Sequence, residues 1–293
     1  MALSKAKTSP DIFSERQMRG PEWDTPKELE LAKVKRLDAK RDIAADDPSI
    51  RGMQICEVLW TGRCKRNADG SVNKFNARIC SRGDLDKGKF DLTSNDTTAP
   101  VVRTSSNLCF DAVACLRAQH KCDFDVPGAY LQGEQLPSEQ RLYRPPKEAR
   151  VYDERGVEIL WLSNHPFYGQ TIAGAIWNWT YNDAITSAKP LHGCGMTRCP
   201  NDPSVYATNV ADDPERAGQV NSTLYVDDAR LAWDDDAPTT AKARDIQKKI
   251  SEKFGVEFGK DNPDETHFLG ANIITDKSPC RLCPSHLVYR SHG

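Results

Sequence analysis

Two adjacent aspartates interrupt an apolar segment that alternates as a β-strand does. Leu224-Tyr225-Val226-Asp227-Asp228 is followed at once by Ala229-Arg230-Leu231-Ala232-Trp233. Alternation on both sides of a short polar break is typical of a β-hairpin, so the two aspartates are expected at its tip. Adjacent carboxylates on a tight turn can bind a divalent cation, because hard cations prefer charged oxygen ligands. Aspartate is also favoured in turns by local hydrogen bonds, and an ordinary turn is therefore the alternative.

The composition is that of a globular protein. The chain has 293 residues, of which 38% are hydrophobic and 28% are charged; this length can bury the core of one large or two small domains. No stretch reaches the roughly 18 apolar residues of a membrane helix, and residues 1–7 lack the apolar core of a signal peptide. We therefore expect an intracellular protein of the cytoplasm or nucleus that is not secreted and has no membrane partner.

Charge is unevenly distributed along the chain although the formal net charge is only −2. Residues 51–90 contain nine Lys or Arg against four Asp or Glu, whereas residues 201–240 contain two against nine. This asymmetry fits an enzyme that binds a polyanion with one part and metal cations with another. Two solvated faces of opposite charge are the alternative.

A possible zinc site at the C-terminal end has the wrong spacing. Cys280, Cys283, His286 and His292 form the pattern C-x2-C-x2-H-x5-H. Zinc fingers place many more residues between the cysteine pair and the histidine pair. We therefore predict an ordinary C-terminal segment rather than a zinc site.

The predicted elements are mixed without a regular β-α alternation, which indicates an α+β class. Helices are predicted over residues 24–41, 106–120, 169–187 and 241–254. Strands are predicted over residues 54–66, 71–80, 122–126, 141–144, 158–162, 205–210, 222–233 and 268–274. In the second predicted helix the apolar residues lie on one face, which is formed by Leu108, Ala112, Val113 and Leu116.

A third aspartate ends another predicted strand. Asp125 follows an alternating segment and precedes Pro127-Gly128, which is a turn signal. If this strand and the hairpin are neighbours in one sheet, Asp125 lies close to Asp227 and Asp228. Three such carboxylates repel one another unless cations neutralise them. Two divalent ions about 3.5–4 Å apart would do so, and such sites catalyse in-line phosphoryl transfer.

At this point the chain resembles the copia-type reverse transcriptases of LTR retrotransposons. The segment Tyr225-Val226-Asp227-Asp228 is similar to their catalytic signature, and residues 125–133 (DVPGAYLQG) resemble their first catalytic motif, D-V-K-T-A-F-L-N-G. Further blocks match in order, namely KRNADG at 65–70 with KFNAR at 74–78, APVVR at 99–103, DPSVY at 202–206 and FLG at 268–270. Together the blocks cover roughly residues 20–290.

The resemblance implies an architecture and a function. It implies a fingers and palm domain over residues 21–290, with a ferredoxin-like antiparallel palm sheet flanked by helices. The polar residues 1–20 that precede this domain are expected to form a flexible segment. In this view the thumb is truncated and RNase H and integrase are absent. The implied activity is that of an RNA-directed DNA polymerase, a nucleotidyltransferase that extends a primer on an RNA or DNA template from deoxynucleoside triphosphates. The oligomeric state is left open.

The resemblance also implies roles for individual residues. Asp125, Asp227 and Asp228 would be catalytic and would bind two Mg²⁺ ions, for which Mn²⁺ can substitute, with the Val126 carbonyl as a further metal ligand. The implied substrate-binding residues are Lys65, Lys74, Arg78, Val126, Gly128, Ala129, Tyr130 and Tyr225. Tyr130 would be the aromatic gate against a ribose 2′-hydroxyl, with an ordinary core aromatic as the alternative. Lys65, Lys74 and Arg78 would contact phosphates, with a solvated hairpin face as the alternative.

The chain departs from the family pattern where the family carries cations. The block L-Y-G-L-K-Q-A-P-R-x-W is represented by residues 167–177, in which Thr171 and Ala175 replace the Lys and the Arg. Leu108 replaces an Arg, Pro127-Gly128 replaces Lys-Thr, and Asn76 replaces a further Lys. A second hypothesis is therefore kept open, in which the chain is a catalytically degenerate remnant that at most binds nucleic acid.

Overall fold

The structure is a computed structural model that describes residues 11–67, 69–85, 97–187, 193–208, 218–259, 261, 265–268, 271–276 and 286–291. Within this part the chain divides into two compact units. The first comprises residues 1–98 and 130–176, and the second comprises residues 99–129 and 177–293. The described part contains both helices and strands, so the chain is a mixed α/β protein, as the pattern of predicted elements indicates.

Four α-helices lie in the described residues. They are α1 (Asp24–Arg36), α2 (Thr104–Leu116), α3 (Ala173–Thr186) and α4 (Ala237–Phe254). The Asp236 side chain accepts a hydrogen bond from the Thr239 backbone N–H at 2.8 Å and so caps α4. Gly255 ends this helix with a φ of 64°, the left-handed conformation that glycine adopts without steric cost. None of these helices combines the length and apolarity needed to cross a membrane.

The first unit is built on a six-stranded sheet in the order β1-β3-β6-β7-β2, with β4 paired to β3. The strands are β1 (Ile12–Ser14), β2 (Lys40–Ala44), β3 (Ile55–Arg66), β4 (Val72–Ser81), β6 (Leu142–Arg144) and β7 (Ile159–Ser163). Its core is rich in buried aromatic side chains, including Trp23, Trp60, Tyr143, Trp161 and Phe167. The predicted hairpin over residues 54–66 and 71–80 is confirmed by the pairing of β3 with β4.

The second unit contains a five-stranded antiparallel sheet in the order β5-β11-β10-β9-β8. Its strands are β5 (His120–Asp125), β8 (Thr197–Arg198), β9 (Val205–Ala207), β10 (Val220–Tyr225) and β11 (Asp228–Trp233). A separate three-stranded sheet is formed by β12 (Glu265–Phe268), β13 (Ala271–Asp276) and β14 (His286–Ser291). The single strand predicted over residues 268–274 therefore overlaps two observed strands, the end of β12 and the first part of β13. Leu269 and Gly270 of the F-L-G block lie outside the described residues.

Several element boundaries differ from the predictions, and two differences lie in the N-terminal part of the chain. The predicted helix over residues 24–41 is too long, because α1 ends at Arg36 and Asp38 takes a left-handed φ of 48° before β2 begins. Within the N-terminal segment that the sequence predicts to be flexible, residues 12–14 form β1 and pair with β3. Residues 1–10 lie outside the described part, as do Cys280, Cys283 and His292 of the zinc pattern.

The apolar face of α2 indicated by the sequence is not the face that the structure buries. Leu108, Val113 and Leu116 are exposed to 45%, 42% and 69%, whereas the side chains turned inward are Asn107, Phe110, Asp111 and Ala114. The helix is buried on a partly polar face because that face meets Arg230 of β11. Apolar periodicity therefore selected the opposite side of the helix.

Candidate metal and nucleotide site

The candidate site in the second unit begins with the β10–β11 hairpin. Tyr225 pairs with Asp228, so Val226 and Asp227 form a two-residue loop. Val226 has a φ of 57°, and Asp227 does not share this positive angle, which is the pattern of a type II′ turn. Glycine normally occupies the first loop position of this turn. A β-branched residue there is a conformational outlier that costs roughly 1–3 kcal/mol.

Asp125 lies directly opposite Asp228 in the sheet. Antiparallel partners have Cα atoms about 4.5–5.5 Å apart and project their side chains from the same face. The Val126 backbone N–H also donates a hydrogen bond of 2.8 Å to the Asp227 carbonyl oxygen. The end of β5 is thereby joined to the turn, and the chain positions of all three aspartates converge at one end of the sheet.

A proline-glycine turn carries the chain away from Asp125. Gly128 has a φ of 71° immediately after Pro127, as residue i+2 of a type II turn requires. Val126 and Ala129 are buried, Gly128 is half-buried, and Tyr225 is 37% exposed. The segment therefore leaves Asp125 on the exposed side while its apolar neighbours pack inward.

The three carboxylates differ in exposure, and Asp125 is the most accessible to solvent. Within the described residues, no group of three or more His, Cys, Asp and Glu side chains is arranged to hold a metal ion. The donor set nevertheless suits Mg²⁺ or Mn²⁺, because carboxylate oxygens are the ligands that hard cations prefer.

A buried ion pair fixes the register that sets Asp125 opposite Asp228. Arg230 faces Asp123 across the same two strands, and its Nε lies 2.9 Å from an Asp123 carboxylate oxygen. Arg230 also contacts Asp111 of α2 at 2.6 Å, and both of these side chains are 1% exposed. Asp123 and Arg230 are each two residues from the candidate ligands. A slip of one residue would turn every side chain of the strand to the other face and break this pair.

The electrostatics of this network favour the charged arginine. Burial by itself lowers the pKa of Arg230, but the hydrogen bonds and negative charges of Asp111 and Asp123 raise it above its ordinary value. Asn107 accepts a further hydrogen bond of 3.1 Å from Arg230. Sequence reasoning missed this network. The sequence contained one indication of it: Asp123 lies two residues before Asp125, and Arg230 lies two residues after Asp228.

Asp202 of the DPSVY block anchors the APVVR block beside the hairpin. Its carboxylate accepts hydrogen bonds from the backbone N–H of Arg103 at 3.0 Å and of Ser204 at 3.1 Å. Burial raises the pKa of Asp202, but hydrogen bonds from the Ser106 hydroxyl and from these amides outweigh it and leave the pKa below its usual value. Val102 in turn donates a backbone hydrogen bond of 3.0 Å to Leu224. Two of the matching sequence blocks are thus in contact.

The candidate phosphate ligands belong to the first unit. Lys65 and Lys74 are direct partners on β3 and β4, and Arg78 lies four residues further along the same face of β4. All three side chains are exposed. Like charges placed directly opposite each other destabilise a hairpin.

The same face contains an arginine that sequence reasoning missed. Arg63 is exposed and lies directly opposite Asn76, the position at which the family pattern has a lysine. The sequence indicated its position, because Arg63 lies two residues before Lys65 on the same strand and therefore on the same face. The four exposed cations Arg63, Lys65, Lys74 and Arg78 are hereafter called the hairpin basic face.

Tyr130 joins this face through a second tyrosine. The Tyr130 and Tyr168 ring centroids are 5.6 Å apart, and the Arg78 guanidinium lies 4.9 Å from the centre of the Tyr168 ring. Tyr130 is half-buried. These residues are brought together within the first unit, whereas the aspartates belong to the second.

Two positions that lack the family's cations are occupied in other ways. Ala175 is fully buried within α3, and the Thr171 hydroxyl donates a hydrogen bond of 3.2 Å to the Gly83 carbonyl oxygen. Neither position presents a charge to solvent.

Comparison with known proteins identifies the class. The family model described as reverse transcriptase (RNA-dependent DNA polymerase) matches residues 48–290. The chain therefore belongs to the reverse transcriptase family, and its resemblance to the copia-type members is confirmed.

The curated relatives are plant retrotransposon proteins. The chain is 25% identical over 223 residues to the retrovirus-related Pol polyprotein from transposon RE2 of Arabidopsis thaliana, a match that covers 76% of this chain and 14% of that polyprotein. It is 24% identical over 229 residues to the corresponding polyprotein from transposon RE1 of the same plant, which covers 78% and 14%. The chain thus spans about one seventh of the length of these relatives.

Proposed function

We propose that the chain is the polymerase core of a copia-type retrotransposon and transfers deoxynucleotides to a primer on an RNA or DNA template. The observation that carries the proposal is the pairing of Asp125 with Asp228 at one end of a sheet, with Asp227 in the adjoining turn. Membership of the reverse transcriptase family supports the same reaction. In this proposal the first unit is the fingers, and the second unit is a palm with a ferredoxin-like sheet.

The three aspartates are the proposed catalytic residues and metal ligands. Their oxygens, together with the Val126 carbonyl, would hold two Mg²⁺ ions, or Mn²⁺ in their place. Bound ions would activate the primer 3′-hydroxyl for attack on the nucleotide α-phosphate and neutralise charge on the leaving pyrophosphate. The protein's own contribution is a rigid strand pairing that keeps mutually repelling carboxylates close together.

The remaining proposed contacts orient the substrate. The hairpin basic face would bind phosphates of the template or of the incoming nucleotide, with Arg78 able to form two parallel hydrogen bonds. Tyr130, held against Tyr168, is the proposed gate against a 2′-hydroxyl. Gly128, Ala129 and Tyr225 complete the proposed nucleotide-binding segments next to the aspartates.

The second candidate function is binding of nucleic acid without catalysis. It is favoured by the buried Ala175 and the hydrogen-bonded Thr171, which leave the first unit with fewer cations than the family pattern has. The hairpin basic face would be retained in such a remnant, because phosphate binding does not depend on metal ligands.

Primer extension on a defined template with Mg²⁺ separates the two functions. We expect the Asp227→Asn/Asp228→Asn variant to lose extension by about 100-fold or more, because it removes charged groups that stabilise the transition state. The matched control is Asp234→Asn/Asp235→Asn, which neutralises an adjacent pair just beyond the other end of β11, where Asp234 binds Arg117 and Asp235 binds His120. We expect this control to keep extension within about threefold, because the two residues lie at the end of β11 opposite to Asp228 and Asn keeps the shape of each side chain.

Two outcomes would reject the polymerase proposal. Equal extension by the wild type and the Asp227→Asn/Asp228→Asn variant would mean that the activity comes from elsewhere. No extension by the wild type, combined with salt-dependent binding of the primer-template, would leave the non-catalytic function as the correct one.

A further inference from the structure

The strained Val226–Asp227 turn is held by its two carbonyl groups. The Val226 carbonyl oxygen accepts a hydrogen bond of 2.6 Å from the indole Nε1–H of Trp177, and the Asp227 carbonyl oxygen accepts one of 2.8 Å from the Val126 N–H. Each of these carbonyls belongs to a planar peptide group, and the two groups flank Asp227. Restraint of both peptide groups limits the φ and ψ of Asp227, and with them the direction of its Cα–Cβ bond.

The position of Trp177 is set by the core. The side chain is 1% exposed, and its ring lies edge-on to Phe254 of α4 at 5.3 Å and near Tyr181 at 5.7 Å. Aromatic pairs of this geometry are attractive and limit the movement of the ring. The indole N–H is thus a donor whose location is set by α3 and α4, independently of the hairpin.

A valine with a positive φ is stable only where the surrounding structure restrains its backbone in several ways. The valine side chain cannot supply that restraint, because a β-branched residue disfavours the angle that Val226 adopts. The indole hydrogen bond is a restraint from outside the hairpin that acts on the strained residue itself.

We propose that Trp177 is a positioning residue that holds the strained turn and thereby orients the Asp227 and Asp228 carboxylates for metal. This inference rests on the proposed function, since it assigns a residue that supports the same metal ligands. Trp177 acts through the backbone and is not itself a catalytic residue.

Replacement of one indole by a phenyl ring tests the proposal, and the chain offers a matched control. Trp177→Phe removes the donor and keeps an aromatic ring. Trp233→Phe makes the same change at a residue that is also fully buried, but whose Nε1–H has no hydrogen-bond partner within the described residues. Both variants remove the same atoms from a fully buried ring, and only Trp177→Phe also removes a hydrogen bond.

Two measurements do not depend on catalysis. Amide hydrogen exchange at Val126, whose N–H bonds to the turn, should be about fivefold faster in Trp177→Phe than in the wild type, and within about twofold in Trp233→Phe. Mn²⁺ affinity of the whole chain, measured by electron paramagnetic resonance, should fall about fivefold in Trp177→Phe alone. The Mg²⁺ concentration for half-maximal primer extension should rise by a similar factor.

A second substitution in the turn provides a rescue test. Glycine adopts the φ of residue 226 without steric cost, so Val226→Gly removes the strain that the indole restrains. In the Val226→Gly background, the effect of Trp177→Phe on Val126 exchange and on Mn²⁺ affinity should shrink to less than about twofold.

The outcomes separate this inference from the proposed function. If Trp177→Phe and Trp233→Phe give the same Val126 exchange, or if Val226→Gly leaves the effect of Trp177→Phe unchanged, the positioning role is wrong even in an active polymerase. If the wild type binds Mn²⁺ through its aspartates but extends no primer, the proposed function fails, while the exchange and affinity differences still support the role of Trp177. A wild type that binds no Mn²⁺ overturns both.

Discussion

In the second unit the candidate metal ligands lie at the end of a sheet whose register is fixed by a buried ion pair, whereas in the first unit the candidate phosphate ligands project from an exposed hairpin. Arg230 and Asp111 are each 1% exposed, but Lys65 and Lys74 lie on the solvent side of their strands. Chemistry at two metal ions requires ligands held to fractions of an ångström. Long-range attraction to a polyanion tolerates mobile side chains. The units therefore differ in how much structure supports each candidate ligand.

The largest test of this contrast is the removal of a buried cation. Arg230→Met should destabilise the protein by about 3–5 kcal/mol, because it removes the buried cation closest to Asp111 and leaves Lys121, 3.8 Å away, to balance that buried carboxylate. The matched variant in the first unit is Arg144→Met, which breaks partly exposed ion pairs with Glu57 and Glu158 and should cost about 1 kcal/mol or less. Guanidinium unfolding measures both. Equal losses would contradict the difference between the units.

A smaller effect is expected at the carboxylate that anchors the APVVR block. Asp202→Asn should cost about 1–3 kcal/mol, because two backbone N–H groups lose a charged acceptor in a site that is only 3% exposed. Asp153→Asn is the control, since Asp153 also accepts backbone hydrogen bonds but in a more exposed turn, and its loss should be smaller.

The pH dependence of stability should identify the same group. The pKa of Asp202 is lower in the folded protein than its ordinary value of 3.8. Such a carboxyl stabilises the fold above the unfolded-state pKa, and this contribution is lost as the pH falls through the lower folded-state value. Stability measured from pH 5 downward should therefore fall more steeply below about pH 4 in the wild type than in Asp202→Asn. Parallel curves would mean that Asp202 carries no such contribution.

The smallest effects on stability, but clear effects on binding, are expected on the hairpin basic face. Arg63→Ala and Lys65→Ala should each change stability by no more than about 0.5 kcal/mol and reduce the salt-dependence slope of primer-template binding by about one. Lys248→Ala is the control, because Lys248 lies on α4 with a side chain 72% exposed. Fluorescence titration at several salt concentrations would measure the slopes. An unchanged slope for Arg63→Ala would remove this residue from the proposed phosphate-binding face.

Sequence reasoning succeeded where side-chain alternation reports strand pairing directly. The β10–β11 hairpin and the approach of β5 follow from apolar alternation that ends in aspartate. The same reasoning failed on α2, because it assumes that buried faces are apolar. Asn107 and Asp111 are buried there to satisfy Arg230, and no pattern within the helix indicates a partner on a distant strand.

The supports of the candidate site were also beyond local patterns. Trp177 lies 49 residues before the carbonyl group it binds, and Asp202 lies 99 residues after the amide of Arg103. Such contacts depend on the packing of α3 and on the course of the APVVR segment, which spacing alone does not determine. The residue types were visible in the sequence, but their partners required the fold.

The burial of Ala175 has a consequence for any attempt to restore the family's residues to this chain. Ala175 is fully buried, so an arginine there would carry a long charged side chain into a packed interior. Asn76 is only half-buried and lies beside Arg63 and Lys74 on an open strand face, where a lysine can extend into water. The two family residues therefore differ in how easily they can be restored. A single substitution to lysine suffices at Asn76, whereas an arginine at Ala175 would first require changes in the neighbouring residues.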